Sequence, residues 1–287
     1  MSTQSGMTSG PTALSPQERN ARLFDVLADS YDAVGVDFFQ PIAQGLMDAC
    51  PPRPGDAVAD LGCGKGAFLL RAAHAVGPTG RVVGVDISAV MVAAAAQAVR
   101  QAALDHVDVV LGDAQDPDLP RESFDLVASS VVLFFLPDPA AALRAWRGLL
   151  RAGGRLAVST FGPQDDVWQA IDGLFDPYLP ADLLDARASG RRGPFGSDEG
   201  MAALVADAGL DDVRTVTVDL PVHFADADHW YAFSLSTGQR AMWQLVPEPE
   251  RPHLRRRAEE LLAGAAAPSG GHVVRQRVRY TVGTRSA

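Results

Sequence analysis

At 287 residues, with a 47% hydrophobic share and a formal net charge of −10, the chain is long enough to bury one large α/β core, with or without a smaller cap. The charge argues against nucleic acid as a partner, because a protein that tracks phosphates needs a basic face to release counterions; a small-molecule substrate is expected instead. Cys50 and Cys63 are the only cysteines, too few for a disulfide scaffold and without the spaced partners of a zinc site, which fits a reducing cytoplasm and predicts no metal.

Residues 1–16 are polar, small and proline-containing, with neither the charged start nor the apolar run of a signal peptide, and read as a disordered tail. No apolar stretch approaches the roughly 20 residues of a membrane helix, so no membrane partner is expected. Over 17–54 the apolar positions Leu23, Phe24 and Leu27, then Phe38, Phe39, Ile42 and Leu46, recur at helical spacing and predict two helices ahead of the core. Apolar runs typical of buried parallel strands follow at Ala57 to Leu61, Val82 to Val85, Val107 to Leu111, Leu126 to Val132 and Arg155 to Thr160. Helical segments are read at Phe68 to Val76, Ser88 to Leu104 and Pro139 to Leu150. That alternation predicts a doubly wound α/β sheet. A later helix at Ser197 to Ala208 leads to a sixth strand at Val213 to Leu220, and Val273 to Val282 alternates as a final strand. Core is therefore expected over 55–160, 197–220 and 272–284. The stretches 161–196 and 221–271 are too long for plain connections and read as an inserted substrate cap, while 17–54 would cover the active site.

In an open α/β sheet the ligand lies outside the carboxyl ends of the strands, so the residues just after each strand carry most weight. After the first strand stands Asp60-Leu61-Gly62-Cys63-Gly64-Lys65-Gly66, whose missing side chains permit a tight turn and close ligand approach. After the second, Asp86 is placed to accept two ribose hydroxyls, and after the third, Asp113 and Ala114 are placed to meet an adenine. The glycines alone also satisfy a loosened dinucleotide fingerprint. A pyrophosphate at that turn would be repelled by Asp60, however, whereas the ammonium and sulfonium of S-adenosylmethionine (SAM) would be favoured.

These three strand ends resemble the first three motifs of class I SAM-dependent methyltransferases. The strings Ser30 to Phe39 and Val132 to Pro139 are similar to those of the aklanonic acid methyltransferase-like enzymes of actinobacterial natural-product tailoring, and a weaker likeness runs through Trp230 to Ser234 and Gly238 to Ala241. The resemblance implies a Rossmann-like seven-stranded sheet with its last strand antiparallel and SAM as cofactor. It also implies a cofactor shell that adds Tyr31, Cys63, Ile87, Met91, Ser129 and Ser130 to Asp60, Gly62, Gly64, Asp86, Asp113 and Ala114. In that family a histidine often precedes the glycine at 238; here it is Thr237, so a base at that position does not carry over.

Methyl transfer from a sulfonium is an in-line displacement that gains mainly from alignment and from exclusion of water, which gives a cap its task. A carboxylate acceptor is already ionised, whereas an alcohol, phenol or carbon acid must lose a proton. His223 and His229 flank an aromatic segment and are the candidate bases; the alternative for each is an exposed or core-satisfied histidine. Phe134, Phe135, Trp168 and Trp230 could line a pocket for a flat polyketide-like acceptor or could be the cap's own core, and Arg240 could grip a carboxylate. Arg187, Arg191 and Arg192, like Arg251 to Arg257, read as solvated basic faces. The expected reaction is O-methylation of a carboxylate or hydroxyl of a small natural product, with C-methylation or a SAM-assisted cyclisation or rearrangement as alternatives. An oligomer is possible on this sequence, and its order is left open.

Overall fold

The computed structural model describes residues 14–180 and 193–286. The chain enters through α1 (Pro16–Leu27) and α2 (Phe39–Ala49), then alternates β1 (Ala57–Leu61), α3 (Leu69–Val76), β2 (Arg81–Asp86), α4 (Ala89–Gln101) and β3 (Val107–Leu111). It continues through β4 (Phe124–Ser130), α5 (Pro139–Leu149), β5 (Leu150–Gln164), α6 (Asp166–Gly173), α7 (Asp198–Asp207) and β6 (Asp211–Phe224). Helices α8 (Ala227–Leu235), α9 (Gln239–Leu245) and α10 (Arg251–Leu262) precede the last strand, β7 (His272–Thr284).

The seven strands lie in the order β3-β2-β1-β4-β5-β7-β6. β1 to β5 are parallel and β7 runs antiparallel to both neighbours. This is the expected doubly wound sheet. The order reverses at β1, and the register places Asp60 beside Gly84 of β2 and Ala128 of β4. The switch-point crevice therefore opens at the carboxyl ends of β1, β2 and β4, where this architecture binds ligands.

Both faces of the central strands β1, β2 and β4 are buried, because helices cover the parallel sheet on each side. One face packs Ile42 and Leu46 of α2, Leu69 and Val76 of α3, and the apolar residues of α6, α8, α9 and α10 into a single cluster. The other packs Leu143 and Trp146 of α5 and Met201 and Val205 of α7. Side-chain caps mark the helix starts: Ser15, Ser88, Asp138, Asp165, Ser197 and Asp226 each accept an amide from the first turn of their helix.

Of the boundaries that differ from the sequence reading, three bear on the site or have a clear physical reason. Ser15 caps α1 and Pro16 is its first residue, so the helix begins inside the stretch read as tail. β5 and β6 run on past 160 and 220, through Pro163 and Pro221. Pro163 lies where the β5–β7 register skips between Phe161 and Gln164, and a bulge there tolerates the missing amide. Pro221 pairs with Arg275 on β6, an edge strand whose outer N–H positions need no partner in the sheet. The patch at Arg187, Arg191 and Arg192 lies outside the described residues. Among the described residues no helix is long and apolar enough to cross a membrane.

Trp146 ties α5 to the turn after β3. It is fully buried, and its Nε1 donates to the Ala114 carbonyl at 2.7 Å. Trp146→Phe deletes that donor and leaves the carbonyl unpaired, so urea unfolding should show a loss of about 1–3 kcal/mol; an unchanged midpoint would mean that the turn is held by other contacts.

Candidate active site

The carboxyl ends of β1 and β4 border a cavity of about 110 Å³ whose lining includes Tyr31, Phe39, Asp60, Gly64, Lys65 and Ser130. Its chemistry starts from Asp60. The residue is 1% exposed, and neither carboxylate oxygen has a hydrogen-bond partner. Burial, reinforced by the nearby Asp86 carboxylate and opposed only weakly by the Leu69 amide, pushes its pKa up to about 8. An acid held this way favours a cation that could share its charge. Gly64 supplies the matching space: at φ +51°, a Cβ there would meet nothing within 4 Å, so a ligand can lie directly against the backbone. Gly62 serves another purpose, because a Cβ there would stand 2.3 Å from Val132 Cγ2. Its space belongs to the protein.

Asp86 ends β2 and is also held above its ordinary range, by burial. Its oxygens accept the Gly64 amide at 2.8 Å and the Ser88 amide at 2.9 Å, and each keeps a further lone pair for a hydroxyl. Ile87 is half-buried beside it, and Met91 is buried in the first turn of α4 with its amide on Ser88 Oγ. Asp113 is half-buried and accepts the Gln115 amide at 2.8 Å. Cys63 is buried, and its thiol is pushed up by burial and by both acids. Ser129 donates to the Leu61 carbonyl at 2.7 Å and is buried in the sheet; only Ser130, sharing a hydrogen bond with Ser159 Oγ at 3.1 Å, reaches the cavity wall. Val131 follows in the left-handed region at φ +54°, a strained conformation for a β-branched residue, held by its amide on Ser159.

Tyr31 stacks on Phe39 with ring centroids 4.2 Å apart, and its hydroxyl is pushed up by burial and by Asp86. Sequence reasoning did not select Lys65 or Asp25, yet both bind the arm to the crevice. Lys65 Nζ donates to the Tyr31 carbonyl at 2.7 Å, and Ser88 Oγ donates to Asp25 of α1 at 2.6 Å. Lys65 stood within the glycine run and could have been read there; nothing local marks Asp25.

The histidines are not brought to this cavity. His223 is exposed on β6, opposite Val273. His229 has both ring nitrogens engaged: Nδ1 accepts the Ala225 amide at 3.1 Å and Nε2 donates to the Val34 carbonyl at 2.8 Å. It fastens the N-terminal arm to α8. Trp230 is buried against Trp243 between α8 and α9, and Arg240 is half-buried on α9 with its guanidinium on the Leu235 carbonyl. Phe134 stacks on Phe161, Phe135 meets Phe24 edge-on, and Trp168 is buried beside Phe38. Among the described residues no His, Cys, Asp and Glu group could hold a metal ion.

A methyltransferase-domain family matches residues 59–158. Nocamycin O-methyltransferase of Saccharothrix syringae is 37% identical over 80% of this chain and 85% of its own length. Aklanonic acid methyltransferase of Streptomyces sp. (strain C5) is 36% identical over 56% of this chain and 74% of its own. Among solved structures, Haemonchus contortus phosphoethanolamine N-methyltransferase 2 in complex with S-adenosyl-L-methionine shares the fold, with TM-score 0.60 at 14% identity over 96% of this chain and 61% of that one.

Asp60→Asn separates the charge from the shape. The ligand-free wild type loses stability as pH rises from about 4 to about 8, because the unfolded chain releases the proton first; thermal melts of the variant should lack that decline. Its SAM affinity should fall at least about tenfold near pH 8 by calorimetry, with the wild-type advantage shrinking toward pH 6. Equal affinities at both pH values would remove Asp60 from cofactor binding.

Proposed function

This chain belongs to the class I SAM-dependent methyltransferases, and on that premise we propose that it methylates an oxygen of a small, polyketide-like natural product whose acceptor group is already acidic. When bound, SAM supplies an electrophilic methyl group on a sulfonium. The observation that carries the reading is the Asp60 carboxylate, buried without a partner beside a cavity whose lining includes no histidine. The carboxylate holds the cationic end of the cofactor, and Gly64 lets it lie close. Asp86 takes the ribose hydroxyls, Asp113 and Ala114 the adenine edge, and Tyr31, Ile87 and Met91 close the shell. Ser130 and the strained Val131 form the wall on the acceptor side.

Among the described residues no histidine lines that cavity, and the reaction suits an acceptor that arrives ionised, a carboxylate or an acidic enol or phenol. The printed names of the two relatives, an O-methyltransferase and a methyltransferase of an acid, support the same choice. Phe39 on the cavity wall meets Phe38, which joins the ring cluster of Phe161, Phe134 and Phe135 behind it. Such a wall excludes water, which would otherwise waste the methyl group.

Incubation with labelled SAM and a panel of polyketide acids and phenols tests this directly. The expected product gains one methyl group that base hydrolysis removes from an ester and leaves on an ether or a carbon. An isomerised product with SAM unconsumed would support the rearrangement alternative, and no transfer to any acceptor despite SAM binding would sink the proposal. His223→Ala should leave turnover within about twofold, since an exposed substitution away from the site has little to disturb; a loss of orders of magnitude would restore it as a base.

A further inference from the structure

Away from the Asp60 cavity, six buried polar side-chain atoms of the described residues have no hydrogen-bond partner, and three of them, Gln164 Oε1, Gln239 Oε1 and Trp168 Nε1, belong to residues gathered around α6. One scaffold holds all three. Helix α6 carries Trp168 and, one turn later, Asp172. The buried Asp172 carboxylate accepts Gln164 Nε2 at 2.9 Å and Gln239 Nε2 at 2.6 Å. A carboxylate accepts and does not donate, so both amides turn their NH2 groups to it and their carbonyl oxygens away. The β5 bulge contributes as well: the register passes from Phe161 opposite Val278 to Gln164 opposite Gln276, which returns Gln164 to the face of Phe161.

Polar atoms are rarely left unpaired in a core, and several together mark a place where something else completes them. The cluster lies one aromatic layer from the cofactor cavity. Phe39 lines that cavity, meets Phe38 edge-on at 5.0 Å, and Phe38 lies 6.1 Å from Trp168. We propose that Gln164, Gln239 and Trp168 form the recognition end of the acceptor pocket. There the O–H or N–H groups of the substrate donate to the two glutamine carbonyls, and one of its oxygens accepts the indole N–H. This rests on the methyl-transfer reading and adds an orientation to it. Two carbonyl oxygens accept and do not donate, so a hydroxylated end of the substrate sits here and its acidic oxygen points back toward Ser130.

Calorimetry on the full chain saturated with S-adenosylhomocysteine tests this without requiring turnover. The probes are naphthoic acid and a dihydroxynaphthoic acid whose hydroxyls lie on the ring remote from the carboxylate. The dihydroxy acid should bind about tenfold more tightly, as two added net hydrogen bonds would give. Trp168→Phe and Gln239→Met should each cut that preference severalfold while S-adenosylhomocysteine binds as before. If Gln239→Met fails to fold, Trp168→Phe still decides the matter, because it keeps an aromatic ring in place. Equal binding of the two acids, binding of neither, or a preference that survives the substitutions overturns the proposal. A preserved preference with no methyl transfer to any acceptor would sink the earlier reading alone.

Discussion

A carboxylate held out of water without a partner is the constraint around which this molecule is arranged. Asp60 could be relaxed by protonation or by solvent, and the fold prevents the second. It seats the residue at the end of a central strand, with Ala128 on one side and Gly84 on the other. The nearby Asp86 makes ionisation harder still. The resulting field accepts a cation and rejects a phosphate, which is what separates a SAM site from a dinucleotide site built on the same glycine turn. In ligand-free form the protein carries this cost, which a cation bound beside the carboxylate would relieve.

The second layer of organisation is aromatic. Phe38 touches Phe39, Phe161, Trp168 and Phe233, joining the N-terminal arm, the end of β5, α6 and α8. Polar contacts bind the same pieces at their edges: Lys65 on Tyr31, Asp25 on Ser88, and His229 on Val34. The arm is thereby held from the sheet side and from the cap side. A rigid enclosure of this kind suits a reaction that gains chiefly from alignment.

Strands β1 and β3 were legible to the residue, because short apolar runs between turn residues leave little choice of ends. β5 and β6 were read short at Gly162, Pro163 and Pro221, whose usual meaning is overridden by a bulge and by an edge position. That error propagated to the histidines. Once β6 runs through Phe224, the period of two buries Val222 and Phe224 and turns His223 to solvent. The three strand-end acids could be selected because their chemistry depends on strand ends, which sequence locates well. His229 could not be assigned, since its partner Val34 lies 195 positions away. The glutamines of the acceptor pocket were illegible for the same reason: what singles them out is the direction in which Asp172 turns their amides.

The place of β7 in the sheet bears on how the protein is made. β6 pairs with β7 alone, and β7 is inserted between it and β5. Tyr280 of β7 also abuts Gly45 of α2, so closely that a Cβ there would overlap its ring. During synthesis on the ribosome the β6 strand must wait with its edge unpaired, and α2 without its contact to Tyr280, until β7 emerges. The parallel half can assemble earlier from successive βα units, whereas β6 joins the sheet only once β7 is in place. Loss of β7 would therefore leave an exposed strand edge prone to aggregation instead of a slightly smaller enzyme.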